Sequence, residues 1–439
     1  MPPLKHEVVG AGSARSDWLT AVILIAVIFT PTFRLFGEIP VRVDDFIIFG
    51  IGIVVAMKHL FQLSLPLPDR IELYLIGLLG SILLSTIVSP IRHDFIVTAK
   101  EYLDIMRPLK FLIVYHVVRQ RNRQKTLCAL VKTMAVAIPI LLALAFLQLL
   151  SSRVMGDSLL VKGLALFADQ SPFDDAVAMM IQRPFATFNT PTHLGYLATL
   201  VLFLAPMIQR RGIRRMTIVL SFLTLLISVT RTLLFGLPVL LAIWSMTNGD
   251  HSIRERLKNT GKSFALTALA LIASLAFLPL VSPVAADYTR SMIEDVATGQ
   301  TQDQYSITTR LDNLALVAVT WETAPLLGVA TRALLPPYVD SELIITFHRY
   351  GMLGLAMLLA VYPLGYNLAR RAARRNRLLS RFVIMCLSIT FLYGITQGAL
   401  INSRMGVIPF LVLGITAPWS GEMRRATFLS RLARHFGAN

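Results

Sequence analysis

Long apolar runs alternate with short basic stretches along almost the whole chain. The runs fall near 18–36, 43–57, 71–89, 103–118, 127–150, 188–209, 216–230, 232–247, 263–283, 342–366, 378–400 and 405–419. Most are roughly 15 to 24 residues long, too long for strands and close to what a helix needs to cross a bilayer. The pattern predicts an all-α, polytopic integral membrane protein with about twelve transmembrane helices, since a lipid-exposed backbone must satisfy its own hydrogen bonds. Met216 to Met246 is too long for one crossing at about 1.5 Å per residue, and Arg231 interrupts it. It reads as two short spans that turn at 228–232. The stretch 91–118 begins with Arg92, Asp94, Lys100, Glu101, Asp104 and Arg107 and then meets Pro108. It predicts a helix lying at the surface before it enters the membrane. No signal-peptidase pattern precedes Trp18, so 18–36 reads as a retained first span.

Composition agrees with this layout. Hydrophobic residues make up 55% of the 439 and charged residues 15%, against about 25% charged in soluble domains. Mean hydropathy is +0.65. No polar linker divides the chain, so 1–439 is expected to form a single transmembrane domain. A cytosolic enzyme, a secreted domain and a DNA-binding protein are excluded. The net charge of +17 suggests nucleic acid only until the charges are placed. With both termini on one side and the loops alternating, most of the 42 basic residues fall with the termini, in clusters at 119–125, 210–215, 254–262, 370–381 and 424–434. The acids concentrate on the opposite side. The positive-inside rule then puts both termini in the cytoplasm. The basic face there meets anionic membrane lipids, and no nucleic acid partner is expected. Two outer loops are long, 151–187 and 284–341, and loops of that length usually carry function. The second contains an amphipathic helical stretch, Ile307 to Thr323, ended by Ala324-Pro325, which suits a lid or platform over the bundle. No internal repeat stands out, which argues against an inverted-repeat transporter.

Several kinds of chemistry lack their signature. Thr260-Gly261-Lys262-Ser263 ends like a phosphate-binding loop, but Arg256 stands where its first glycine belongs. Asp44/Asp45 and Asp174/Asp175 are adjacent, so on a helix each pair diverges by about 100° and makes a poor metal site. The eight histidines show no ligand spacing. Cys128 and Cys386 both lie in apolar runs, which argues against a disulfide framework. The chemistry is therefore expected to need no metal, no cofactor and no bound ATP.

The residues that could carry chemistry are arginines at the outer ends of spans: Arg107, Arg183, Arg231, Arg310, Arg349 and Arg404. Arginine near hydrocarbon is costly unless it snorkels, pairs with an acid or faces a polar cavity. Several converging on one cavity would suit a lipid-carried diphosphate. Arg231 has no adjacent acid. Arg107 has a structural rival role, because Lys100, Asp104 and Arg107 follow one helix face. Arg183 to Tyr196 either caps a helix through its prolines and Thr192 or lines a cavity with irregular polar backbone. Asp340 is either a helix cap or a general base whose acidity is weakened near lipid. His348, further into the same span, suits a hydrogen-bonded packing residue.

Four segments in order carry a family likeness. They are Arg183-Pro-Phe-Ala186-Thr-Phe-Asn-Thr-Pro-Thr-His193-Leu-Gly195, Val229-Thr-Arg231-Thr-Leu-Leu-Phe-Gly236, Ser306 to Val329 with Arg310, Trp321 and Pro325-Leu-Leu-Gly328, and Asp340-Ser-Glu followed by Tyr350-Gly351-Met-Leu-Gly354. The set resembles the bacterial O-antigen ligase / O-antigen polymerase family of polysaccharide-assembly membrane proteins. Ala186 replaces the usual glycine and Thr230 the usual serine. Ligases of that family carry a His-Asn pair where Asp340-Ser341 stands here, whereas many polymerase-type members have Asp. The resemblance implies a GT-C-like, metal-independent membrane glycosyltransferase in the bacterial inner membrane. It would polymerise undecaprenyl-diphosphate-linked repeat units at the periplasmic face. Asp340 and Arg231 would be catalytic, and Arg183, Arg231, Arg310, Arg107, His193 and Arg404 would hold diphosphate and glycan. The lipid-linked glycan and membrane lipids would be its partners, alongside a chain-length regulator and export proteins. The alternatives are a ligase that moves finished polymer to another acceptor, and a flippase or transporter.

Overall fold

The computed structural model describes residues 17–30, 32–35, 39–62, 68–93, 99–154, 184–188, 190–228, 230–247, 315–329, 341–398, 400 and 404–417, with scattered positions between 254 and 298. The described fold is helical apart from one small hairpin. Helix α1, Trp18–Phe29, is an unbroken apolar run. It stops where Thr30 precedes Pro31. Strands β1, Thr32–Leu35, and β2, Ile39–Arg42, then pair antiparallel with Thr32 opposite Arg42 and Leu35 opposite Ile39. The predicted span 18–36 is thus helical only as far as Phe29.

Helix α2, Val43–Phe61, starts with Asp44 and Asp45 and ends with Lys58, charges that complement its dipole at both ends. Helix α3, Arg70–His93, opens on a reciprocal cap. Asp69 Oδ1 accepts from the amides of Ile71 and Glu72, and Glu72 Oε2 accepts from the Asp69 amide. Helix α4, Ala99–Arg119, runs straight through Pro108. Helix α5, Arg123–Val154, is capped by the Asn122 side chain, which accepts from the amides of Gln124 and Lys125.

Helix α6, Pro191–Leu204, runs into a tighter turn at Ala205–Met207. Helices α7, Arg211–Ser228, and α8, Arg231–Met246, divide where the sequence places a turn. A short helix covers 315–323, in register with the end expected at Ala324-Pro325. Helix α9, Glu342–Leu359, is kinked at Gly351 and leads into α10, Val361–Ala373. Helices α11, Arg377–Thr396, and α12, Val407–Thr416, complete the set.

Among the described residues four segments are long and apolar enough to cross a membrane: Arg70–Val88, Arg123–Ser151, Glu342–Ala373 and Arg377–Thr396. The expectation of about twelve spans in a GT-C-like layout is not met. Helices occupy most of the predicted segments, but Trp18–Phe29, Pro191–Met207, Thr232–Met246 and Val407–Thr416 are shorter apolar helices of 10–17 residues. At 1.5 Å per residue such helices fall short of a hydrocarbon core about 30 Å thick. Most of the segment 263–283 lies outside the described residues, as do the loop 155–183 and most of 284–341.

Two of the short helices sit at the centre. Every residue of α12 is buried, and so is nearly every residue of α6. Helix α12 packs against α4, α10 and α11, and α6 against α7 and α11. A helix apolar on every side is a core helix. The outer helices instead turn large apolar side chains outward. Phe46, Ile53, Val54, Met57, Leu60 and Phe61 of α2 are exposed, as are Val136, Ile140, Phe146 and Leu150 of α5.

Candidate functional site

The core helix α6 is reached through irregular chain buried among helices. Pro184 to Phe188 precede it, and Phe188 donates its amide to Phe185 O (2.9 Å). One side chain organises this stretch. Gln148 of α5, fully buried, donates to Ala186 O (2.8 Å) and accepts from the amides of Phe185 (3.1 Å) and Ala186 (2.7 Å). Three main-chain groups away from water thereby find partners. Ala186 itself adopts φ 52°, the left-handed region that favours glycine. The Thr187 hydroxyl donates to Ile28 O (2.5 Å), joining the stretch to the end of α1.

Arg404 completes the joint from the other side. Its guanidinium donates to Val27 O (2.5 Å), Ile28 O (2.6 Å) and Thr187 O (2.6 Å) and lies over the Phe188 ring, 4.4 Å from the centroid. Val27 and Ile28 belong to the last turn of α1, whose carbonyls lack helical partners. A cation there also suits the helix dipole. Arg404 is 1% exposed. Expected at the outer end of a span, its guanidinium clamps main-chain carbonyls of α1 and of the lead-in to α6. His193 is buried one turn into α6, with Nδ1 3.0 Å from the Thr190 hydroxyl, and feels the charges of Arg404 and Arg42. The structure therefore brings His193 and Arg404 into one region.

Beside this joint lies a buried ionic cluster that sequence reasoning missed. Lys110, midway along α4 and 1% exposed, gives its ammonium to Asp44 Oδ2 (2.6 Å) and Asp45 Oδ1 (2.5 Å). Arg42 Nε lies 3.2 Å from the other oxygen of Asp44. The adjacent aspartates do not diverge in effect. At the first turn of α2 a long lysine stem reaches between them. A lysine within the apolar run Pro108 to Val118 was the available signal, because an intramembrane charge demands a partner or a task.

A third feature joins α3, α9 and the 315–329 segment. The Thr320 hydroxyl donates to Leu316 O (2.8 Å), so its oxygen accepts from Nδ1–H of His348 (2.7 Å). That fixes the tautomer and leaves a lone pair on Nε2, a buried atom with no partner among the described residues. His348 is hydrogen-bonded, as expected of a packing residue. The chain at 325–329 then latches onto the α9 kink. Val329 N donates to His348 O (2.9 Å), Met352 N to Pro325 O (2.8 Å) and Leu353 N to Leu326 O (3.2 Å). The Ser85 hydroxyl of α3 faces Leu327 O (2.5 Å) and Arg349 O (2.8 Å).

The remaining predicted residues are placed less fully. Arg107 is half-buried on α4, one turn before Lys110. The side chains of Lys100 and Asp104, its proposed ladder, lie outside the described residues, as does the side chain of Arg231, which opens α8. Arg183, Arg310 and Asp340 also lie outside them. Among the described residues no group of three His, Cys, Asp or Glu side chains is placed to hold a metal ion. No protein-family model matches the chain, and a search of curated proteins finds no match.

Proposed function

We propose that this chain is a membrane glycosyltransferase of the O-antigen polymerase type. In this reading it sits in the bacterial inner membrane with both termini in the cytoplasm and joins undecaprenyl-diphosphate-linked repeat units at the periplasmic face. One observation carries the reading. Within the family-like segment 183–195, residues 184–188 form irregular buried backbone ahead of core helix α6, and Ala186 adopts a left-handed φ of 52° where the family has glycine. Non-helical backbone at such depth is tolerated where it is enclosed by protein or lines a cavity.

The chemistry is a single displacement. An acceptor sugar hydroxyl attacks the anomeric carbon of the donor chain, and the bond from that carbon to the diphosphate oxygen breaks. The electron pair leaves with the diphosphate, and the hydroxyl proton passes to the carboxylate of Asp340. Arg183, Arg231 and Arg310 neutralise the charge developing on the leaving group. The test is the glycan that accumulates in a deletion strain. Loss of a polymerase leaves single repeat units on the lipid carrier at the outer face. Full-length chains on the carrier would indicate a ligase instead. In the complemented strain, Arg231→Ala should abolish polymer while the protein remains inserted, and normal chain length would remove Arg231 from the mechanism.

The buried Lys110–Asp44–Asp45 cluster favours a second reading, a lipid-glycan flippase or transporter, since such proteins keep paired ionisable groups inside the bundle. Its deletion would strand single repeat units on the cytoplasmic leaflet. Protection of those units from a glycosidase added to spheroplasts separates this outcome from the polymerase.

A further inference from the structure

At the end of the bundle where α2 stops and α3 begins, two histidines far apart in sequence face each other. His59 lies in the last turn of α2 and His116 in the last turn of α4, with Nε2 atoms 3.3 Å apart and ring planes at 71°. His116 Nδ1 is 2.7 Å from Glu72 Oε1, so it donates to that carboxylate, and in the neutral ring the lone pair lies on Nε2. Glu72 is itself fixed. Its other oxygen accepts from Arg119 (2.7 Å) and from the Asp69 amide (2.9 Å). Arg119 also bridges to Asp69 (2.8 Å), which in turn accepts from the Tyr115 hydroxyl (2.6 Å).

A third polar group meets the two rings. The amide end of Gln120, one turn after His116, lies 2.6 Å from His116 Nε2 and 3.2 Å from His59 Nε2. A half-turn of that amide exchanges nitrogen for oxygen and presents a carbonyl at the same point.

The separation of the two histidine nitrogens matches two corners of a tetrahedral metal centre, and the Gln120 amide, 2.6 Å from His116 Nε2, must swing outward by about 0.7 Å to take a third. Two imidazole nitrogens, each about 2.05 Å from a tetrahedral Zn²⁺, lie about 3.3 Å apart. A histidine bound to metal characteristically donates its other ring N–H to a carboxylate, the role Glu72 fills. The His116 side chain is 22% exposed, so an ion can reach it from solvent. We propose that His59, His116 and Gln120 form a site for a divalent transition-metal ion of the Zn²⁺ class, with water as the fourth ligand. The ion ties the end of α2 to the α3–α4 pair. The buried residues of α2, Asp44 and Ile48, lie near its start, far from His59. The site is independent of the glycosyltransferase reading.

The test uses the full chain purified in detergent and titrated with Co²⁺, then Zn²⁺ in competition. Visible absorption of tetrahedral Co²⁺ and calorimetric stoichiometry are the readouts. One ion per chain is expected, with the Co²⁺ bands bleached by Zn²⁺. His59→Ala and His116→Ala should each remove binding, with size-exclusion profiles and metal-free melting showing that the variants fold. Glu72→Gln should weaken binding by about 10- to 100-fold, and Gln120→Glu should tighten it by supplying a charged ligand. No stoichiometric binding below millimolar Zn²⁺ would overturn the proposal. So would binding that survives the His59→Ala/His116→Ala double variant.

Discussion

Replacing Lys110 by methionine keeps the length and apolar stem of the side chain and removes the ammonium that Asp44 and Asp45 share. The Asp44 side chain is fully buried, whereas that of Asp45 is 23% exposed. Breaking a buried pair from one side costs about 3–5 kcal/mol, because a charge is left without compensation. Arg42, 3.2 Å from Asp44, retains part of that compensation, and Asp45 can turn to solvent. The expected loss is therefore at the low end, about 3 kcal/mol, or roughly a hundredfold in the folding equilibrium. Asp45→Asn, at the exposed edge, should cost about 1 kcal/mol. The double variant Lys110→Met/Asp44→Asn removes the ammonium and the buried carboxylate it bonds, at the cost of the Arg42–Asp44 contact, and should recover about 1 kcal/mol relative to Lys110→Met alone. Equilibrium unfolding of the purified protein in mixed micelles reads all of these differences. A Lys110→Met protein as stable as the parent would refute the reasoning, and so would a double variant no more stable than the single.

Five further outcomes follow from the described geometry. Gly351 has φ 62° and ψ −162°, a glycine-only region, and a Cβ there would meet the Leu326 carbonyl carbon and oxygen at 2.3 Å, so Gly351→Ala should cost about 3 kcal/mol. Gly50→Ala in α2, where a Cβ meets open space, should instead be neutral or stabilising by up to about 1 kcal/mol, as thermal melting will show. Gln148→Leu leaves the amides of Phe185 and Ala186 and the Ala186 carbonyl without their side-chain partner and should lose about 3 kcal/mol, whereas Ala186→Gly relieves the positive φ and should gain up to about 1 kcal/mol in the same assay. Arg404→Leu should release α1 from the lead-in to α6, seen as faster amide hydrogen exchange at Ile28 to Thr30 and at Thr187 to Phe188; unchanged protection at both would refute its role as a clamp.

Much of the helical layout was legible along the chain. The turn between α7 and α8 falls where Arg231 interrupts an apolar run too long for one helix, and the 315–323 helix ends at Ala324-Pro325 as proline requires. The stretch 91–118 read as one helix passing from charged to apolar, and helix α4 runs through Pro108 across that change. The first span was read too long because 32–36 is apolar enough for helix, and apolarity does not distinguish a helix from a hairpin flanked by prolines. Lys110 was passed over because its acids lie 65 and 66 positions away, and no local spacing reveals such a pairing.

Composition and period by themselves determined that this protein is a bundle of apolar helices with basic connections, because hydrophobic burial and backbone self-satisfaction depend on local sequence. That Arg404 clamps carbonyls and that His59 meets His116 were decided only by tertiary packing. Each depends on side chains brought together from distant segments, and a polar group's task is set by the neighbour it finds in space.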